Sequence, residues 1–298
     1  MFYLRGFKNN LQNVLLFCQH RGPVGGPRTR HELKALYNQR LALSQEAYTL
    51  TSRPEPELVV DGDEVIRLAS VFRNHGDRVP LDDAALSGAM PHQDPAVRAA
   101  QLSVTRQALA LLRSGNPALG SLFDLVTNRI FFFDLPGSDG GSHPGALGVI
   151  WANPPLTWDV VDGVEMLLHE LTHQLLFLEE AVHGLFQDRE SLATPDNHAR
   201  SAFLDIPRRP DQALHSLVVG TELLLARQRW LGHGRRRSMA HHPSPRLLAD
   251  CRRCADSIHG LAARGRLLTA NGAALLSVLD AALDEVSAKC SWASPVAT

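Results

Sequence analysis

The sequence predicts a mainly α-helical protein with one small antiparallel pair of β-strands. Over most of the chain, apolar residues recur at steps of three and four, which is the pattern of a helix with one buried face. The segment at 160–180 is apolar around nearly its whole circumference and contains no proline. Two short apolar segments, at 128–135 and 146–151, have the composition of strands and are separated by residues typical of turns. We therefore expect a helical domain built around one buried helix, with the strand pair packed beside it.

The other helices follow from their periodicity and from the residues at their ends. We expect them at about 29–52, 63–74, 94–113, 119–126, 211–230, 245–264 and 267–288, with a further short helix beginning near Asp82. Residues 1–27 end in a run rich in glycine and proline, which favours a flexible N-terminal segment. The predicted organisation is therefore that segment followed by a single domain over 28–298.

Composition excludes several classes of partner. The formal net charge of −1 gives no electrostatic reason to expect nucleic acid or an anionic membrane surface. No apolar run is long enough to cross a bilayer, and polar residues break up the N-terminal apolar stretch, so we expect a cytoplasmic protein without a membrane partner. Four cysteines are too few for a disulfide framework in 298 residues. The single C-x-x-C, at Cys251 and Cys254, is expected to be a pair of helix neighbours.

The helix predicted at 160–180 contains a complete H-E-x-x-H motif, in which His169 and His173 enclose Glu170. Residues four apart project from the same face of a helix, so both imidazoles can bind one cation while the glutamate lies beside them. Two core histidines can also be satisfied by backbone carbonyl groups alone. Burying two histidines and a glutamate together is costly unless something satisfies them, however, and a metal ion does so. The motif therefore predicts a metal site with its core at about 128–231.

A catalytic metal site of this type uses three protein ligands, and the sequence offers two candidates for the third. The metzincin extension requires glycine and histidine three and six residues beyond the motif, where this chain has Leu176 and Glu179. That class is therefore excluded. The helix expected at 211–230 carries both His215 and Glu222, which are seven residues apart and lie on one face. Either side chain could face the metal.

The motif, together with Pro-Arg-Arg-Pro at 207–210 and Leu-His-Ser-Leu at 214–217, resembles the family of H-E-x-x-H peptide-modification proteins. Members of that family are iron- and 2-oxoglutarate-dependent oxygenases that β-hydroxylate residues of a precursor peptide, and their fold is not a jelly roll. The resemblance covers about residues 140–231. The chain departs from the family pattern at 203–204, where Phe-Leu replaces Trp-Arg, and in the apolar Leu171 inside the motif.

This resemblance implies that His169, His173 and His215 bind Fe(II), with 2-oxoglutarate as the second cofactor. It also implies that Arg208, with Arg209 beside it, binds the distal carboxylate of 2-oxoglutarate. A planar guanidinium is suited to that task because it can donate two parallel hydrogen bonds to one carboxylate.

The carboxylates near these ligands have supporting roles in the same hypothesis. Glu170 is the catalytic carboxylate, which orients a ligand or the substrate and does not act as a general base. Glu165 and Glu222 support the ligands without binding the metal. The expected substrate is an amino-acid residue of a peptide or of an amino-acid-derived natural product, hydroxylated at a β or other unactivated carbon.

Two other functions are compatible with the same residues. In a zinc metallopeptidase, Glu170 would deprotonate the attacking water, and Glu222 would join His169 and His173 as a ligand. A non-catalytic peptide-binding relative would keep the fold without the chemistry. The hypotheses thus differ in the metal, in the third ligand and in the role of the glutamate.

Overall fold

The computed structural model describes residues 1–19, 26–45, 53–74, 94–134, 139–204, 206–233, 240–265 and 267–289. These residues are mainly helical, as predicted. The chain divides into two compact units, one made of Leu11–Leu178 and the other of Met1–Asn10 with Glu179–Thr298. This division differs from the single domain predicted over 28–298. Both boundaries fall inside helices and not in loops, although the first of these helices has a kink at Gly6, where φ is 79°.

In chain order, the described helices are α1 (Phe2–Gln19), α2 (Arg30–Ser44), α3 (Gly62–Asn74), α4 (Pro95–Gly115), α5 (Pro117–Val126), α6 (Val160–His183), α7 (Pro210–Ala226), α8 (Ser244–Arg264) and α9 (Ala270–Lys289). The described strands are β1 (Glu57–Val59), β2 (Arg129–Phe132), β3 (Gly140–Ser142), β4 (Val149–Ala152), β5 (Ala199–Arg200) and β6 (Pro207–Arg208). A π-helical turn, Arg227–Leu231, follows α7 directly. None of the described helices is both long enough and apolar enough to cross a membrane.

The first predicted helix begins where it was expected and ends earlier. Thr29 and Glu32 form a reciprocal capping box, in which each side chain accepts a hydrogen bond from the backbone N–H of the other residue. This cap fixes the start of α2, which ends at Ser44. Residues 46–52, over which the prediction extended this helix, lie outside the described part of the chain, as does the short helix expected near Asp82.

The last helix begins at Ala270, three residues later than predicted, because the preceding residues pair with the segment after α6. The carbonyl of Leu267 accepts a hydrogen bond from the backbone N–H of Gln187 at 3.1 Å. Leu268 forms an antiparallel bridge with Phe186. These two leucines have the periodicity of a helix, but their backbone groups are used in a short extended pairing.

The N-terminal segment is helical over α1, whereas a flexible segment was predicted over 1–27. Met1 is fully buried, and its amino group pairs with the carboxylate of Glu222 at 2.5 Å. The same carboxylate accepts hydrogen bonds from the backbone N–H groups of Tyr3 and Leu4, both at 3.0 Å. Asn10, one of the polar residues that break up the N-terminal apolar stretch, is buried and donates to the carbonyl of Met1 at 2.9 Å.

The two predicted strands are present, but they pair in parallel, as β2 and β4 of a four-stranded sheet with the order β1-β2-β4-β3. The predicted antiparallel arrangement of 128–135 with 146–151 was therefore wrong. An antiparallel pair does exist, between β3 and β4. Its strand β3 is Gly-Gly-Ser and was taken for part of a turn, because glycine is depleted in strands. Since the chain reverses once into β3 and again into β4, β4 runs in the direction of β2.

One face of this sheet packs on α3 and forms a continuous apolar core. Val65 and Leu68 of α3 belong to the same buried cluster as Phe131 of β2 and Trp151 of β4. The indole Nε1 of Trp151 donates to the carbonyl of Phe133 at 2.8 Å, so its one polar atom is satisfied within the core. The apolar cluster and the Trp151 hydrogen bond together hold β2 and β4 in register.

Helix α6 contacts the rest of the same unit through the side chain of Gln174 and through a close approach at Gly163. Gln174 exchanges two hydrogen bonds with the backbone around the start of β4, accepting from Gly148 N–H at 2.9 Å and donating to the Val149 carbonyl at 3.0 Å. Near its start, α6 passes so close to α4 that a Cβ on Gly163 would lie 2.9 Å from the Cβ of Ala108. Gly163, a poor helix former, is therefore present because the packing leaves no room for a side chain.

The other compact unit is built around α7, in which every residue except Gln212 is buried. Helix α8 packs against it at Gly220, where an added Cβ would lie 2.5 Å from the sulfur of Cys251. Cys251 and Cys254 are both fully buried, and burial raises the pKa of Cys254 to about 12. The C-x-x-C pair thus consists of packed helix neighbours, as the sequence suggested.

A buried lysine closes the C-terminal end of α5. The Nζ of Lys34 donates to the backbone carbonyls of Asp124, Leu125 and Thr127, at 2.7, 3.0 and 2.9 Å. The last carbonyls of a helix have no partner within the helix, so this side chain satisfies acceptors that would otherwise be buried and unpaired. Burial lowers the pKa of Lys34 to about 7.

We predict that Lys34→Met lowers the free energy of unfolding by about 1–3 kcal/mol, because it leaves the helix-end carbonyls without a donor. Urea unfolding followed by circular dichroism measures the change. Lys8→Met, at an exposed lysine of α1, is the control and should leave the midpoint unchanged. Equal midpoints for the two variants would contradict a capping role for Lys34.

Candidate metal centre

The motif lies in the middle of α6, with at least two helical turns on either side, so its side chains are held by a continuous helix. The start of α6 is fixed by reciprocal capping. The carboxylate of Asp159 accepts from the backbone N–H groups of Val161 and Asp162 at 2.8 and 2.9 Å, and that of Asp162 accepts from Asp159 N–H at 3.1 Å. A helix thus spans the segment predicted at 160–180, and these hydrogen bonds fix its start.

The two motif histidines converge. The Nε2 atoms of His169 and His173 lie 3.1 Å apart, and their ring centroids are separated by 4.9 Å. Two imidazoles bound to one cation with bonds of about 2.0–2.1 Å place their nitrogens roughly 3.0–3.4 Å apart. Without a cation, one neutral ring can donate to the other through the same pair of atoms. The separation therefore fits a shared metal ion, and it is produced by the helix itself.

The second ring is further held by an aromatic neighbour one turn along α6. His173 and Phe177 are stacked, with centroids 6.1 Å apart and an interplanar angle of 19°. This contact restricts the rotation of the His173 ring and keeps its Nε2 directed at His169. A prearranged pair of ligands loses less conformational entropy when a metal binds than a mobile pair does.

Glu170 lies beside the pair and is buried. Its Oε1 is 3.9 Å from the Nε2 of His169, and its Oε2 has no hydrogen-bond partner among the described residues. Burial raises the pKa of Glu170 to about 8, and the hydroxyl of Ser142 acts weakly in the opposite direction. A buried carboxylate oxygen without a donor is costly, so this site fits a cation or the polar group of a ligand.

Strand β3 lies next to this glutamate, which the sequence did not indicate. A Cβ on Gly140 would be 3.6 Å from Glu170 Oε1, and the hydroxyl of Ser142 is 3.5 Å from the Glu170 carbonyl oxygen. Small residues are favoured in β3 because Trp151 is close: a Cβ on Gly140 would lie 3.1 Å from the Trp151 carbonyl oxygen, and one on Gly141 would lie 3.0 Å from its ring. The glycine-rich composition was the available signal, although it was interpreted as a turn.

The two candidates for a third ligand are on α7, in the other compact unit, and both are buried. Glu222 is fully buried and is engaged by the N-terminal residues of α1, through the backbone N–H groups of Tyr3 and Leu4. His215 is 8% exposed. Glu165, also expected to support the site, is fully buried on α6.

The structure thus brings His169, Glu170 and His173 together. Within the described ranges, no group of three or more histidine, cysteine, aspartate or glutamate side chains is placed so that it could hold a metal ion. The two motif histidines fit two positions of a metal site by their separation. The identity of the third ligand, His215 or Glu222, stays a prediction.

The two candidate cosubstrate arginines have different environments. Arg209 pairs with Asp211 through two hydrogen bonds, at 3.2 and 3.1 Å. Arg208, on β6, is half-buried, and its guanidinium forms no hydrogen bond or ion pair with any residue that the structure describes. Burial lowers the pKa of Arg208, and Asp211 partly offsets this shift. Of the two, Arg208 is therefore better suited to bind an anionic ligand.

Comparisons with known proteins leave the family open. No protein-family model matches the sequence, and no curated protein matches it. The resemblance to H-E-x-x-H peptide-modification proteins therefore depends on the motifs at 169–173, 207–210 and 214–217 alone.

Proposed function

We propose that the chain is an Fe(II)- and 2-oxoglutarate-dependent oxygenase that hydroxylates an amino-acid residue of a peptide or of an amino-acid-derived natural product. The observation that carries this proposal is the convergence of the His169 and His173 Nε2 atoms beside a buried carboxylate. In the proposal His215 completes a set of three neutral imidazole ligands. When bound, iron and the keto acid together activate dioxygen, and the protein supplies position, charge and exclusion of water.

The environment of Glu222 supports His215 as the third ligand. A glutamate that binds a metal must direct at least one carboxylate oxygen at the cation. Both oxygens of Glu222 accept backbone hydrogen bonds instead, Oε2 from Tyr3 and Oε1 from Leu4. Recruiting this side chain to a metal would leave those partly buried donors without their acceptor, which is unfavourable.

The environment of Arg208 supports a binding site for an anionic cosubstrate. Removing a guanidinium from water without a carboxylate partner is unfavourable, and the lowered pKa of Arg208 expresses that cost. A dianionic keto acid would remove the penalty by bringing its own carboxylate. Arg209 is already neutralised by Asp211 and has less to gain from such a ligand.

Glu170 has a positioning role in this proposal. Its buried Oε2 can accept a hydrogen bond from a substrate or ligand donor, and its Oε1 lies near His169. The same placement is the specific observation that favours the alternative, a zinc metallopeptidase in which Glu170 takes a proton from water. The two roles differ in whether the residue must change its protonation state during turnover.

We predict that His169→Ala, His173→Ala and His215→Ala each reduce bound iron by about tenfold or more in anaerobically prepared protein, because each removes a ligand. Metal content per chain is measured by mass spectrometry. His259→Ala, at a surface histidine paired with Asp280, is the control and should retain its iron. Loss of metal in Glu222→Gln with full retention in His215→Ala would overturn the ligand assignment and favour the peptidase.

We predict that Arg208→Gln weakens 2-oxoglutarate binding by about tenfold or more without changing iron content, because a charge-assisted pair of hydrogen bonds is lost. Anaerobic equilibrium dialysis measures the affinity independently of turnover. Arg189→Gln, at an exposed arginine paired with Glu180, is the matched control. An unchanged affinity in Arg208→Gln would show that another cation binds the distal carboxylate.

We predict that Glu170→Gln keeps its metal and retains measurable formation of succinate from 2-oxoglutarate, because the amide can still form hydrogen bonds. In a peptidase the same change removes the base and abolishes nearly all hydrolysis. Succinate and peptide cleavage are measured in parallel, with and without oxygen. Oxygen-independent cleavage by the unmodified protein that disappears in Glu170→Gln would exclude the oxygenase.

A further inference from the structure

The middle of helix α6 is accessible along one stripe of residues. Over 162–178, every residue of the helix is buried except His169, His173 and Phe177, which are half-buried. The three follow one another at steps of four, so they lie one above the other on the same face of the helix. Two of them are the candidate metal ligands. The third is an aromatic residue that shares their accessible surface.

This stripe continues toward the C-terminal end of α6 and is closed toward the N-terminal end. One turn before His169, the same face carries Glu165, which is fully buried. The side chain of His169 is 22% exposed, and one turn after His173 the ring of Phe177 is half-buried. Along α6, the surface that a ligand of the histidine pair can contact therefore continues over Phe177.

The ring of Phe177 is already held in position by its neighbour in the stripe. It is stacked on His173, with centroids 6.1 Å apart and an interplanar angle of 19°. A ring that is fixed in this way loses little further rotational freedom when a ligand contacts it. Covering its remaining exposed surface removes apolar area from water, which is favourable.

The charges around Phe177 favour an uncharged partner. The face of an aromatic ring is negative, so it attracts cations and does not attract anions. A metal ion bound by the neighbouring His173 would, however, repel a cationic group placed on the ring. Apolar and aromatic groups are subject to neither repulsion, and an aromatic group gains a ring–ring contact as well.

We propose that Phe177 binds an apolar or aromatic side chain of the substrate, next to the group that reacts at the metal. The contact requires a metal ion at His169 and His173, so this inference rests on the proposed function. It adds a chemical class for the substrate and a residue that recognises it. The same stripe would serve an iron oxygenase and a zinc peptidase, so the contact is tested without any measurement of turnover.

The test uses the full-length protein loaded with Co(II), whose absorption bands report changes in its ligands, and two hydroxamates that chelate the metal through the same atoms. Acetohydroxamate ends in a methyl group, whereas phenylacetohydroxamate carries a phenyl ring on that carbon. We expect the phenyl probe to bind the unmodified protein about fivefold more tightly or better, because it gains the contact with Phe177. In Phe177→Gln this preference should fall below about twofold.

The preference is a ratio of two affinities for the same metal-loaded protein, so a variant that binds Co(II) more weakly does not change it for that reason. Phe17→Gln is the matched control and should keep the preference. Phe17 is also half-buried on a helix of the same compact unit, and its ring centroid lies 6.1 Å from that of Tyr37. Phe177→Tyr should keep the preference too, because it retains the ring.

The unmodified protein alone can overturn the assignment, by binding the two hydroxamates equally well. A preference that persists in Phe177→Gln, or that is lost equally in Phe17→Gln, would also overturn it. Failure of the unmodified protein to bind Co(II) would overturn the metal centre and this contact together. That failure is observed before either hydroxamate is added, so it is distinguished from a failure of the contact alone.

Discussion

The burial of α6 is the constraint on which the Leu11–Leu178 unit depends. A helix that is buried on most sides must satisfy every polar group that it carries, or lose stability for each one that it leaves unpaired. Thr172 meets this requirement by donating to the carbonyl of Leu168 at 2.8 Å, and Gln174 meets it through β4. Glu170 does not, since its Oε2 lacks a partner among the described residues. Thr172 and Gln174 thus form hydrogen bonds within the protein, whereas Glu170, the candidate functional residue, has an oxygen that does not.

The contrast between Glu170 and the hydrogen-bonded polar groups of α6 supports a binding role for the motif, in addition to its spacing. Two histidines and a glutamate with this spacing can also occur in a helix that binds no metal, if backbone carbonyl groups accept hydrogen bonds from them. Here the His169 and His173 nitrogens face each other at 3.1 Å, and an acidic side chain is buried beside them. Departures from local satisfaction concentrate at functional sites, because binding a ligand completes what the fold leaves open.

Sequence periodicity was sufficient to predict most helices, because the residues of each apolar face recur along the sequence at steps of three and four. Prediction failed where the decisive partner is distant along the chain. The strand β3 could not be recognised from Gly140 and Gly141, since its stability comes from pairing with β4 and not from its own residues. Likewise, nothing near Met1 indicates that a glutamate more than 200 positions away fixes the first turn of α1. The histidine pair was predictable because helical geometry alone brings it together.

The arginines show a similar limit. Arg208 and Arg209 are adjacent and identical in type, so the sequence assigned both to one task. Their environments separate them, since only Arg209 has Asp211 as a partner at hydrogen-bond distance.

The contact of Glu222 with the start of α1 also affects the order in which the hydrogen bonds of the protein can form during synthesis. Glu222 is separated from Tyr3 by 219 positions, and a ribosome adding 5–20 residues per second needs roughly 10–40 s to cover that distance. Until then, the backbone N–H groups of Tyr3 and Leu4 lack their acceptor. Meanwhile, the residues of α2–α6 are already synthesised and can assemble the sheet. The first turn of α1 therefore acquires these hydrogen bonds only after α7 has been synthesised.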